Sequence, residues 1–63
     1  MGAGGIIQQN QALKTAVNDP SIFSVLPAHC CARVAAINAK GLADWTEDDR
    51  TYMAVMLSVA VHA

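Results

Sequence analysis

The sequence predicts an all-α fold: a small three-helix bundle with an extra short helical turn between the first and second main helices. Three observations carry this. Apolar residues recur at helical spacing, no stretch alternates with period two long enough for a strand, and prolines and capping residues fall where helices would begin and end. Residues 1–5, with Gly2, Gly4 and Gly5, read as a flexible leader. Residues 6–63 read as one domain, with helices at about 6–18, 20–26, 28–40 and 47–62.

The first helix rests on Ile6, Leu13 and Val17, which share a face with Ala16 while Gln8, Gln9, Gln11, Lys14 and Thr15 lie elsewhere. It must stop before Pro20, because the residue preceding a proline is pushed out of the α region. Asp19-Pro20 then opens a second segment, an N-cap acceptor followed by a proline whose missing N–H costs nothing at the first helical position. Its residues Ile22, Phe23 and Leu26 supply apolar surface.

Pro27 begins the third segment in the same way, and Gly41 is placed to end it as a C-terminal glycine cap with Leu42 as its hydrophobic contact. Ala28, Ala32, Ala35 and Ala39 make a row of small side chains suited to close approach of another helix. Val34 and Ile37, with Cys30 and Cys31, widen the expected buried side. His29, Arg33 and Lys40 form a narrow basic strip on the rest, a candidate contact for an acidic partner surface.

The fourth segment is the most clearly signalled. Thr46 is the N-cap, and Asp49 stands three residues on, where a capping box would have Glu or Gln. Glu47, Asp48 and Asp49 put negative charge in the first turn, where the helix dipole favours it. Trp45 is placed to fold over Arg50 as a cation–π contact. From Tyr52 the helix is apolar almost all round, and a helix of that kind is buried on all sides or spans a membrane. It is too short to span.

Size and composition set the functional classes. A chain of 63 residues buries only about 60% of its unfolded surface, so its core supplies roughly 3–5 kcal/mol unless something else helps. It is 54% hydrophobic and 14% charged, against about 25% charged for an ordinary soluble domain. Twelve of the thirty-four apolar residues are alanine, which moderates the excess. The remaining imbalance favours association.

With net charge −1 and only Lys14, Arg33, Lys40 and Arg50 as fixed cations, the chain makes a poor phosphate footprint, and no nucleic acid is expected as partner. A helix-turn-helix would moreover present Glu47-Asp48-Asp49 to the bases. No run reaches the ~18 apolar residues of a membrane span, and MGAGGI has neither the charge nor the apolar run of a signal peptide. The expected location is the cytoplasm.

The chemically suggestive stretch is Pro27-Ala28-His29-Cys30-Cys31-Ala32-Arg33. Neighbours on a helix point about 100° apart, so His29, Cys30 and Cys31 splay, and His62 is the only other soft ligand. A structural zinc wants four ligands with short paired spacing. His29, Cys30, Cys31 and His62 are therefore weak metal candidates, and no metal or cofactor is expected. Catalysis would require a positioned base, an oxyanion site and a pocket that this length hardly provides. The chain reads as a non-enzyme, with its cysteines serving as small hydrophobes.

What remains is the last helix, whose two apolar faces cannot both pack on the other helices. Trp45, Arg50, Tyr52, Met53, Met56, Leu57, Ala60 and Val61 are the candidate partner interface, of residue types favoured at interface hot spots or at core. The expectation is a small helical protein that acts by binding another protein and associates with itself through this helix. By its size it would inhibit or modulate a larger enzyme or assembly, as accessory factors of phages and mobile elements do. A structural subunit of a virion or larger complex, and a metal- or redox-responsive switch at the His-Cys-Cys segment, are the competing readings.

Overall fold

The computed structural model describes the backbone of residues 3–63 and the side chains from Gly5 onward. Among the described residues the elements are α1 (Ala3–Val17), α2 (Pro20–Phe23), α3 (Ala28–Asn38), a 3-10 turn (Leu42–Asp44) and α4 (Glu47–Val61), with no strand. The fold is the expected all-α bundle with a short helix between its first two long ones. α1 starts at Ala3, inside the stretch read as a leader, so residues 3–5 belong to a helix. Residues 1 and 2 of that stretch lie outside the described residues.

The punctuation works as chemistry requires. Asp19 Oδ1 accepts from the Ser21 N–H at 2.9 Å and from the Ser21 hydroxyl at 2.6 Å, and Pro20 occupies the first position of α2. α2 ends at Phe23, three residues short of the expected 26, in a run of turns before Pro27. Pro27 sits at the N-cap of α3, its carbonyl accepting from the Cys30 and Cys31 N–H groups at 3.0 Å each.

The C-terminus of α3 departs from expectation. Gly41 has φ −65° and ψ 148°, so it is not the left-handed cap that glycine usually provides. Lys14 reaches across from α1 instead and donates to the Asn38 carbonyl at 3.3 Å, placing an ammonium where the dipole of α3 ends. Asn18 and Asn38 exchange amide hydrogen bonds, at 2.9 Å from Asn18 Nδ2 and 2.7 Å from Asn38 Nδ2. These contacts close α3 at Asn38, two residues before the predicted Lys40. Nothing in the periodicity of either helix announces them.

Every main element feeds one core, made of Val17, Leu26, Cys30, Val34, Ile37, Trp45, Met53 and Met56. Val17, Val34 and Met53 are fully buried. The alanine row of α3 faces outward: Ala28, Ala32, Ala35 and Ala39 are all exposed. α3 presents Cys30, Val34 and Ile37 to the core instead, because branched and sulfur-bearing side chains remove more apolar surface from water than alanine does. On α1 the expected stripe holds at Leu13 and Val17 but not at Ile6, which is exposed, while the polar Asn10 is buried. Asn10 Nδ2 donates to the Leu42 carbonyl at 2.9 Å, satisfying a buried backbone acceptor of the 3-10 turn.

Candidate functional site

α4 begins with a complete capping box. Thr46 Oγ1 accepts from the Asp49 N–H at 3.1 Å, and Asp49 Oδ2 accepts from the Thr46 N–H at 2.9 Å. Asp49 thus does the work of the usual Glu with a shorter side chain. Its Oδ2 also takes the Lys40 ammonium, and that contact, followed by the Thr46 N–H, holds the carboxyl below the usual aspartate range. The cap fixes where α4 begins, and packing against the other helices selects its inward side. Asp49, Met53 and Met56, at spacings of four and three, are the buried ones.

This settles where the expected interface residues lie. Trp45, Met53 and Met56 belong to the core and not to a free face. Tyr52, Leu57 and Ala60 are half-buried against that core, Arg50 is half-buried at its edge, and Val61 is exposed. Of the helix's two apolar faces, one with Tyr52, Val55, Met56 and Val59 and the other with Met53, Leu57, Ala60 and Val61, neither survives whole, since each gives one methionine to the interior. The side of α4 that does face outward carries Thr51, Ala54, Val55, Ser58, Val59 and His62. Val55 is 48% exposed and Val59 46%. Sequence reasoning missed this side because valine and methionine score alike as apolar, and only the packed structure separates them.

The basic strip is largely spent within the fold. Lys40 is paired with Asp49. The Arg33 guanidinium lies 4.5 Å from the centroid of the Tyr52 ring, a cation–π contact joining α3 to α4. The expected stack of Trp45 on Arg50 is not among the contacts of the described residues. His29 remains exposed. Beneath Arg33, the Cys30 thiol beside the Tyr52 hydroxyl, with partial burial, pushes the phenol upward from its usual range.

The cysteines differ in role. Cys30 is a core residue. Cys31 is half-buried, its thiol directed to the Phe23 and Leu26 carbonyls at 3.7 and 3.6 Å, so it helps close the turn after α2. His62, at the far end of α4, bonds the Ser58 carbonyl through Nδ1 at 2.8 Å. Among the described residues no three His, Cys, Asp or Glu side chains are placed to hold a metal ion, and His29, Cys30, Cys31 and His62 share no site.

A concave feature lies elsewhere. A cavity of about 280 Å³ is lined by Ile6, Ile7, Asn10, Leu42, Ala43, Trp45 and Arg50. Its walls come from the first turns of α1, the 3-10 turn and the start of α4. Two side-chain atoms among the described residues are buried without a hydrogen-bond partner, Asn10 Oδ1 and Trp45 Nε1, and both belong to residues of this cavity. Each such group costs about 1–3 kcal/mol, a large sum for a chain whose core supplies roughly 3–5. Arg50 makes no ion pair or side-chain hydrogen bond with any described residue. Of the cavity residues the sequence pointed to Trp45 and Arg50 but not to Asn10, whose neighbours Gln8, Gln9 and Gln11 hide it in a polar run.

No protein-family model matches the chain, and no curated protein or solved structure matches it.

Proposed function

We propose that this chain is a non-enzymatic helical protein that acts by binding another protein, as an inhibitor or modulator of a larger enzyme or assembly of the kind phages and mobile elements carry. The observation behind this is the outward side of α4. From Thr51 to Val61 the sequence has no Asp, Glu, Lys or Arg, and Val55 and Val59 stand four residues apart, about half exposed. An uncharged helix edge favours an equally uncharged surface, because charged residues are depleted at interface cores.

The same edge favours self-association, and magnitudes limit its strength. Covering the remaining surface of one half-exposed valine is worth about 1 kcal/mol, so four valines across a symmetric pair give about 4. Losing free translation and rotation costs about 4–15 kcal/mol. Homodimers on this edge alone therefore form only at high concentration, and a tight partner must bring further contacts. Two free cysteines suit a reducing compartment such as the cytoplasm. No helix among the described residues is long and apolar enough to cross a membrane.

A double Val55→Glu, Val59→Glu variant tests the reading. It should keep the helical circular dichroism and thermal transition of the parent while losing both concentration-dependent light scattering and partner capture from a host extract. A variant that folds and still captures the same protein sinks the reading.

A further inference from the structure

We infer that the cavity between α1, the 3-10 turn and α4 takes the C-terminal residue of a partner protein, an apolar side chain bearing a free carboxylate. This rests on the reading that the chain acts by binding another protein, and it names the part of the partner that is recognised.

Three unmet groups belong to residues that line one apolar cavity. Asn10 Nδ2 is committed to the Leu42 carbonyl, which can only accept, so the amide orientation is fixed and Oδ1 is left as an acceptor. Trp45 Nε1 is a donor without a partner, and Arg50 supplies a cation that no described residue neutralises. A ligand that satisfies all three offers one N–H, one acceptor and one negative charge. The last residue of a polypeptide does this, with its amide N–H for Asn10 and its carboxylate for Trp45 and Arg50. Its side chain would lie against Ile6, Ile7, Leu42 and Ala43, the apolar walls.

Size agrees. At about 280 Å³ the cavity falls just below the ~300 Å³ at which drug-sized ligands begin to fit, so it holds one residue and not a helix. Asn10 and Trp45 are 1% and 5% exposed, so a ligand must displace a wall to reach them. Ile6, 48% exposed on the first turns of α1, is the wall with room to move. The unmet groups raise the free energy of the closed arrangement, which lowers the cost of opening to a ligand that satisfies them.

Trp45 is the only tryptophan, so its emission reports on the cavity directly. Titration of the full chain with N-acetyl-L-leucine should shift that emission saturably, with Kd on the order of 1 mM for so small a probe. N-acetyl-L-leucinamide, which lacks the charge, should bind at least about tenfold more weakly. Free L-leucine should also bind more weakly, because its ammonium brings a second charge to an apolar wall. Arg50→Gln should abolish the preference for acid over amide, and Arg50→Lys should restore part of it.

Equal binding of acid and amide overturns the inference, as does tighter binding of free leucine, which would mark a small-molecule site, or no response at ten times the expected Kd. The Val55→Glu, Val59→Glu variant keeps the two readings apart. Peptide binding that persists in it while protein capture is lost supports both. Capture that depends on α4 without any response to N-acetyl-L-leucine removes this inference alone.

Discussion

Lys40, just beyond the end of α3, donates its ammonium to the same Asp49 oxygen that caps the start of α4. One carboxylate thus joins the end of α3 to the start of α4 across the 3-10 turn. Asp49 is 8% exposed, and truncating Lys40 would leave this charge nearly buried with only the Thr46 N–H to hold it.

The lowered pKa of Asp49, due first to Lys40 and then to the Thr46 N–H, makes stability depend on acid. The folded carboxyl binds its proton less readily than the unfolded one, so the contribution is fully present above the unfolded value near pH 4 and is lost as pH falls through the lower folded value. Asp19, lowered by the Ser21 hydroxyl and then the Ser21 N–H, adds in the same window. Thermal unfolding followed from pH 7 to pH 2 should show the midpoint dropping below about pH 4. Asp49→Asn should lower the midpoint at pH 7 and flatten the acid limb, and an unchanged acid slope would contradict this account.

Met53 is fully buried at the centre of the core. Met53→Ala should cost about 2–5 kcal/mol, comparable with the roughly 3–5 kcal/mol that a core of this size supplies. Circular dichroism at 25 °C should find the variant largely unfolded. Val59→Ser, on the outward side of the same helix, should stay within about 0.5 kcal/mol of the parent.

Thr46 is exposed, yet its hydroxyl accepts the Asp49 N–H. Thr46→Ala should destabilise by about 1 kcal/mol, and Thr46→Ser should recover most of that. Urea denaturation separates the two, and an alanine variant as stable as the parent would show that the Asp49 half of the box suffices.

The cysteines should differ in reactivity. Under native conditions Cys31 should be alkylated slowly and Cys30 only through unfolding, because Cys30 lies in the core while Cys31 is half-buried against two carbonyls. Mass spectrometry of partly alkylated protein would show single modification at Cys31 first. Equal rates at both thiols would mean that the core opens readily around α3.

Much of the fold is legible in the sequence because its signals are local. Asp19-Pro20, Pro27 and Thr46 with Asp49 act within one turn of helix, so the starts of α2, α3 and α4 follow from residue types alone. Gly41 shows the limit of such signals. Its place after a helical run suggests a left-handed cap, but Lys14 and Asn18, more than twenty residues away, close that helix end instead. Asn10 is a similar case, a polar residue buried where its amide donates to the Leu42 carbonyl across the fold.

The sequence by itself determined the all-α class, the number and order of the helices and the cap of α4, since each depends on spacing along one segment. Only the tertiary structure decided which side of each helix is wet. It buried Met53 and Met56 while leaving Val55 and Val59 out, turned the alanines of α3 to solvent, and spent Lys40 on Asp49. It also brought Asn10, Trp45 and Arg50 around one cavity. The physical reason is that hydrophobic pattern prescribes how much surface must be covered, whereas which side of each helix covers it depends on packing between residues far apart in the chain.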